Sequence, residues 1–102
     1  MNITDLINAI QANHINITQH ALREAKEDSL LLDEILYSTQ KGEVIEDYPE
    51  DTPYPSCLIF GEDPSGDPVH SVWAYAADSQ IAVLITVYRP DPDRWIDWKK
   101  RK

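Results

Sequence analysis

The sequence has few of the residues that build disulfides, phosphate-binding loops and metal centres. Cys57 is the one cysteine among 102 residues, so no disulfide can form within the chain. In the apolar segment SCLIF it is typical of a small buried side chain. The three glycines are isolated and form no loop that could cradle a phosphate. The histidines and acidic residues lack the spacing of zinc or calcium sites, so we expect no metal ion and no cofactor.

Long apolar runs are also missing. No segment approaches the length needed to cross a bilayer, and MNITDLINAI has neither the basic flank nor the cleavage-like site of a signal peptide. The chain is nevertheless 42% hydrophobic, in periodic runs that argue against disorder. We therefore predict one domain over residues 1–102, with a cytoplasmic location as the default.

Positive charge is scarce in the middle of the chain. The net charge is −9, and no Lys or Arg lies between Lys41 and Arg89. Most of this surface would repel a polyanion, whereas an unusually basic partner would suit the acidic stretch. Any contact with RNA must use cations outside it. The candidate RNA-binding residues are therefore Arg23, Arg89, Arg94, Lys99, Lys100 and Arg101.

The first 42 residues carry helical periodicity. NITDLINAIQAN has an apolar face and begins at a reduced capping box. A second helix follows in ITQHALREAKED, and it is capped either directly by Thr18 or by Asn16 with Gln19 reaching back. The third helix should end at Gly42. Its predicted core stripe is Leu31, Leu32, Ile35 and Leu36.

Strand patterns replace the helical ones after Gly42. Prolines and turn residues separate four runs, which are EVIEDY, SCLIFGE, VHSVWAYA and IAVLITVYRP. A last helical turn, capped by Asp91 or Asp93, should lay Trp95 and Trp98 on the domain. The predicted fold class is α+β: two to three N-terminal helices packed on one face of a four-stranded antiparallel sheet, with a short C-terminal helical tail.

Candidate catalytic residues lie on the second helix and the last two strands. His20 and Glu24 are one turn apart on the helix, flanking its predicted buried stripe of Ile17, Ala21 and Ala25. Alternation puts Thr86 and Tyr88 on one face of the fourth strand, together with Leu84. His70 on the third strand can share that face. Two imidazoles, a tyrosine hydroxyl and an arginine would suffice for metal-free RNA cleavage.

Structural explanations compete with the catalytic one. A histidine near a helix start can simply bond to a neighbouring backbone group. His70 in an apolar strand is more often a satisfied core residue than a catalyst. Thr86 and Tyr88 are ordinary strand formers.

The chain also resembles a known family. The motifs are a Ser/Thr-x-His-Ala helix start, a GEVIEDYP segment, a PSCLIFG strand, a PVH strand and a closing TVY-x-P, spread over Asn16 to Trp95. They resemble a bacterial family of unknown function that is similar to RelE-like and barnase/EndoU-like ribonucleases. The resemblance implies a toxin encoded beside a zinc-ribbon antitoxin, as in MqsR/MqsA pairs.

Residue by residue, the resemblance assigns His20 to the family histidine, and Thr86 and Tyr88 to the closing strand motif. Relatives commonly carry an arginine four residues after the histidine, where this chain has Glu24. A glutamate can act as a base but cannot bind phosphate as a guanidinium does.

These observations favour a toxin-like, metal-independent ribonuclease that a partner protein neutralises. The alternative is a non-catalytic protein-interaction module on the same fold, because fold similarity is only an analogy for function. Two geometric expectations follow. His20 should lie beside Glu24 and be partly accessible. His70, Thr86 and Tyr88 should approach one cleft near the C-terminal basic segment.

Overall fold

The computed structural model describes residues 1–102 as three helices on one face of a mixed five-stranded sheet, with a small hairpin on the other face. The elements in chain order are α1 (Ile3–Gln11), β1 (Ile15–Ile17), α2 (Gln19–Glu27), α3 (Leu32–Gln40), β2 (Glu43–Tyr48), β3 (Ser56–Glu62), β4 (Pro68–Ala76), β5 (Ile81–Tyr88), β6 (Trp95–Ile96) and β7 (Lys100–Arg101).

The sheet has the order β1-β5-β4-β3-β2, and the predicted antiparallel meander of four strands is confirmed as β2 to β5. The predicted strand number is wrong by one. β1 pairs parallel with β5, from Ile15 opposite Ala82 to Ile17 opposite Leu84. The sequence did not predict β1 because it is only three residues long and its partner, β5, lies more than sixty residues away. Its isoleucines also fit the start of a helix.

The helix caps are largely those that the sequence predicts. The Asn2 side chain accepts from the Thr4 amide at 2.9 Å, and Thr18 Oγ1 accepts from the Ala21 amide at 3.1 Å. Thr18 is therefore the α2 cap, whereas Asn16 lies in β1.

The predicted core stripe of α3 is wrong at its first two positions. Leu31 and Leu32 are 68% and 44% exposed, whereas Ile35 is buried. The reason is that α3 packs on β3 and β4 through Ile35, Ser38 and Thr39, so its first turn projects beyond the sheet.

The core lies between the helices and the sheet, around Trp73. This side chain is fully buried, and its indole Nε1 donates to Thr39 Oγ1 and Ser71 Oγ, both at 3.1 Å. An irregularity between Val72 and Trp73 shifts the register with β5, which places Leu84 opposite Trp73 and in the core. Plain alternation predicts that Leu84 shares the face of Thr86 and Tyr88. The prediction is wrong for Leu84, because the bulge inverts the alternation of side chains along β5.

The C-terminal segment forms a hairpin and not the predicted helical turn. β6 pairs with β7, and the turn between them holds Asp97 and Trp98 at φ of 52° and 65°. Two consecutive left-handed residues are typical of a tight hairpin turn and are incompatible with a continuing helix. Trp95 is buried, as predicted, against His70 on the face of the sheet opposite the helices. None of the three helices has the length and apolarity needed to cross a membrane.

Candidate functional site

His20 and Glu24 form an exposed imidazole–carboxylate pair on α2. His20 Nε2 lies 2.9 Å from Glu24 Oε1, and their side chains are 59% and 26% exposed. The spacing of four residues places them one turn apart on the same side of the helix. The expectation that His20 is accessible and adjacent to Glu24 is thus confirmed. Since Nε2 faces the carboxylate, Nδ1 is the ring nitrogen available to another molecule.

Glu24 is itself anchored to the sheet. Thr86 Oγ1 donates to Glu24 Oε1, and the Val87 amide approaches the same oxygen at 3.4 Å. One turn further along α2, Asp28 Oδ2 accepts from the Arg89 amide at 2.8 Å. β1 pairs only with residues 82–84, so these carboxylates take over as acceptors for the later edge amides of β5.

Because of this anchoring, Glu24 has two structural roles, and the sequence alone did not reveal the first of them. The carboxylate closes the β5 edge, and it also holds the His20 ring in one orientation. Asp28 was missed by sequence reasoning, although its position four residues after Glu24 on the same helix side is a usable signal.

His70 lies in a different environment from His20. It is fully buried, with Nε2 at 2.6 Å from the Trp98 carbonyl oxygen and Nδ1 at 3.2 Å from the Tyr88 hydroxyl. A carbonyl can only accept, so Nε2 carries the proton and Nδ1 accepts from Tyr88. Burial lowers the pKa of His70, which favours this neutral form. The ring therefore joins Tyr88 to the C-terminal hairpin.

Tyr88 shares the His70 face of the sheet, as predicted, and pairs directly with His70 in the ladder. Thr86, two residues earlier, lies about 7 Å away along the strand and turns toward α2. Burial raises the pKa of Tyr88, and nearby carboxylates including Glu24 raise it further against the opposing Arg101. The predicted single constellation is therefore two neighbouring groups, His20–Glu24–Thr86 and His70–Tyr88.

Three of the six predicted RNA-binding cations are engaged by acidic side chains. Arg89 Nη2 lies 2.9 Å from the buried Asp63 carboxylate, and its Nη1 donates to the Pro68 carbonyl at 3.2 Å. Burial alone would raise the pKa of Asp63, but amide donors and Arg89 outweigh it, and the pKa lies below its usual value. Arg89 therefore holds the β3–β4 turn against the end of β5.

The other two engaged cations fasten the hairpin to β2. Lys99 Nζ lies 2.7 Å from Glu43, and the Arg101 guanidinium donates to both Glu46 oxygens, at 2.8 and 3.1 Å. The bond from Arg101 lowers the pKa of Glu46. Part of the acidic middle is thus neutralised by the basic tail of the same chain.

Arg23, Arg94 and Lys100 are exposed, with no acidic group within ion-pair distance. Arg94 lines a cleft of about 250 Å³ beside Tyr88, together with Arg89 and Arg101. Three of the predicted RNA-binding arginines therefore converge next to a predicted catalytic tyrosine. The convergence arises because the hairpin folds back over the sheet.

No group of three or more His, Cys, Asp or Glu side chains has a metal-binding arrangement.

Fold and site together define a small α+β domain with an exposed His–Glu pair anchored to the edge of its sheet. Residues 17–89 match the family described as a domain of unknown function, DUF4258, and the chain belongs to this family. The matched span contains all five candidate catalytic residues, whereas α1 and the C-terminal hairpin lie outside it. No curated protein and no solved structure matches the chain. The predicted membership of a family of unknown function is confirmed, and the similarity to RelE-like toxins stays a prediction.

Proposed function

We propose that this protein is a toxin-like, metal-independent ribonuclease that a partner protein neutralises. The observation that carries the proposal is the His20–Glu24 pair, exposed to solvent and fixed to β5 through Thr86. A carboxylate that orients an imidazole from one nitrogen leaves the other free for proton transfer, which is a recurring arrangement in acid–base catalysis.

The chemistry assigns a step to each group. His20 Nδ1 would take the proton of a ribose 2′-hydroxyl, and the 2′-oxygen would attack the adjacent phosphorus. The P–O5′ bond then breaks, and the Tyr88 hydroxyl turns from His70 Nδ1 and gives its proton to the leaving oxygen. The raised pKa of Tyr88 keeps that proton in place at neutral pH. The products are a 2′,3′-cyclic phosphate and a 5′-hydroxyl.

Arg94 would bind the phosphate during this reaction. It lines the cleft beside Tyr88 and has no acidic partner, whereas Arg89 and Arg101 in the same cleft are ion-paired. A guanidinium there supplies the positive charge that Glu24 cannot supply at the family's arginine position.

The alternative is a non-catalytic interaction module. The net charge of −9 and the pairing of Arg89, Lys99 and Arg101 favour it, because both weaken attraction to a polyanion. His70 is also internally satisfied, which removes one of the two imidazoles from the catalytic set.

The test is cleavage of mixed cellular RNA by purified protein freed of any partner. His20→Asn and Glu24→Gln should lower the cleavage rate, by about 10²–10⁴-fold for the histidine. His14→Asn is the matched control, because His14 is exposed and bonds only through its backbone, whose amide donates to the Ala9 carbonyl and whose carbonyl accepts from the Ala82 amide. EDTA should leave the rate unchanged.

RNA binding also distinguishes a ribonuclease from a non-catalytic interaction module. Log affinity for single-stranded RNA should fall with log salt with a slope of about −0.7 per phosphate contact, and Arg94→Gln should flatten it. Equal cleavage by wild-type and His20→Asn protein would refute the assignment of the base. No cleavage together with no salt-dependent binding would leave the interaction module as the function.

The neutralising partner implied by the resemblance is an antitoxin-like protein of zinc-ribbon type. The product of the adjacent open reading frame should form a complex with this chain and suppress its RNA cleavage. Cleavage that persists in a saturated complex would refute neutralisation without touching the catalytic assignment.

A further inference from the structure

An apolar groove of about 390 Å³ lies between α2 and α3. The two helices are close in sequence but pack on different strands, α2 on β5 and α3 on β3 and β4, which leaves a gap between them. Four buried side chains line the gap, and the small alanine on α2 gives it depth: Ala21, Leu30, Ile35 and Leu84.

Large apolar side chains at the rim of this groove are left in solvent. Leu22 on α2 is 54% exposed and Leu32 on α3 is 44% exposed, and both line the groove. Together with the buried lining they form a continuous apolar surface, and such surfaces on otherwise polar domains mark interaction sites.

The charge at the rim is positive, opposite in sign to the net charge of the protein. Arg23 and Lys26 are the only charged residues that line the groove, and both are exposed without an acidic partner. This occurs in a chain of net charge −9, in which Arg89, Lys99 and Arg101 are all ion-paired. An occupant with carboxylates beside an apolar face would complement this rim.

The walls of the groove favour a helical occupant. Both walls are helices whose backbone groups bond within the helix, so an extended segment would find no strand edge to pair with. A helix satisfies its own backbone and presents apolar side chains at helical spacing, as in known helix-in-groove complexes. We propose that the groove binds an amphipathic α-helix of another protein, with carboxylates flanking its apolar face.

This binding site is separate from the proposed catalytic pair. On the α2 wheel, Leu22 and Lys26 flank the buried stripe on one side, and His20 and Glu24 flank it on the other. The inference therefore goes beyond the proposed ribonuclease and does not depend on it.

The experiment uses two labelled helical peptides of about 16 residues, long enough to span both nine-residue walls and to hold helical structure. They share one Leu/Ala face, and their polar faces carry only Glu in one peptide and only Lys in the other. Binding to the full chain is followed by fluorescence anisotropy. The groove variants are Leu22→Asp and the double charge reversal Arg23→Glu with Lys26→Glu.

Matched controls lie on the C-terminal hairpin. Ile96→Asp changes an apolar residue that is 46% exposed, and Lys100→Glu with Lys102→Glu reverses two exposed cations that have no acidic partner. Circular dichroism and a thermal melt of each variant establish that the fold is intact. All four substituted sets are at exposed positions, where effects on stability are small.

The expected result is saturable binding of the Glu peptide, weakened about tenfold by either groove variant and unchanged by the hairpin variants. The Lys peptide should bind at least about tenfold more weakly. The proposal would be overturned if binding did not saturate or if both peptides bound equally well. It would also be overturned if the hairpin variants lost as much affinity as the groove variants. So would a concentration-dependent dimer that Leu22→Asp abolishes, because the occupant would then be a second copy of this chain.

Discussion

Gly61→Ala should be among the most destabilising single-methyl changes in this protein. Gly61 lies in β3 where α3 crosses the sheet, and a Cβ placed there would lie 2.0 Å from the Ser38 carbonyl oxygen. It would also lie 2.7 Å from the Ser38 carbonyl carbon and 3.1 Å from its Cα. All three contacts are with backbone, so no side-chain rotation can relieve them and α3 itself must move.

The cost follows from what holds α3 in place. Ile35 is buried in the core, and Thr39 bonds to the Trp73 indole, so a shift of α3 disturbs both. Overpacking of a core typically costs 1–3 kcal/mol, and a contact this short should reach about 3 kcal/mol. For a domain of this size that corresponds to a fall in Tm of about 12 °C or more.

Gly66→Ala is the matched control, since the same methyl group at Gly66 would meet no atom within 4 Å. Its only penalty is a φ of +87°, which costs about 1–2 kcal/mol in a residue with a Cβ. Urea unfolding followed by circular dichroism gives both free energies of unfolding. If Gly61→Ala costs no more than Gly66→Ala, α3 does not lie against β3 as described.

Three other predictions test the cap of α2 and the burial of His70 and Cys57. Thr18→Ala removes the α2 cap and a bond from the hydroxyl to the Ile85 carbonyl at 3.0 Å, so it should lower the free energy of unfolding by about 1–2 kcal/mol, whereas Thr18→Ser should lower it less. Burial lowers the folded-state pKa of His70 below 6.5, so the contribution of its neutral ring to stability should be complete above about pH 6.5. Below that pH the free energy of unfolding should fall by at most about 1.4 kcal/mol per pH unit. Urea titrations should show a weaker fall in His70→Gln, and the same dependence on pH in both proteins would contradict the buried neutral ring. Burial raises the pKa of the Cys57 thiol to about 11, so iodoacetamide at pH 8 should label the unfolded chain rapidly and the native protein very slowly, and equal labelling rates would show that the thiol is exposed.

Much of the fold could be predicted because its signals are local. The apolar period of α1, the Thr18 cap and the prolines and turns between β2 and β5 act over a few residues, so the helices and the meander could be recognised without a partner. The neighbouring positions of His20 and Glu24 follow equally from the helical repeat.

The features that could not be predicted all depend on contacts between distant residues. β1 is a strand because β5 lies beside it, and the C-terminal residues form a hairpin because Trp95 packs on His70 while Arg101 bonds to Glu46. The bulge that moves Leu84 into the core is a property of two paired strands.

The sequence by itself determined the α+β class, the order of most elements, the family and the residues able to carry acid–base chemistry. Only the tertiary structure decided which of those residues face solvent. It left His20 accessible and buried His70 under the hairpin, although both are histidines in amphipathic segments. The physical reason is that hydrophobic periodicity gives the face of an element but not what later covers that face, and the cover comes from segments far away in the chain.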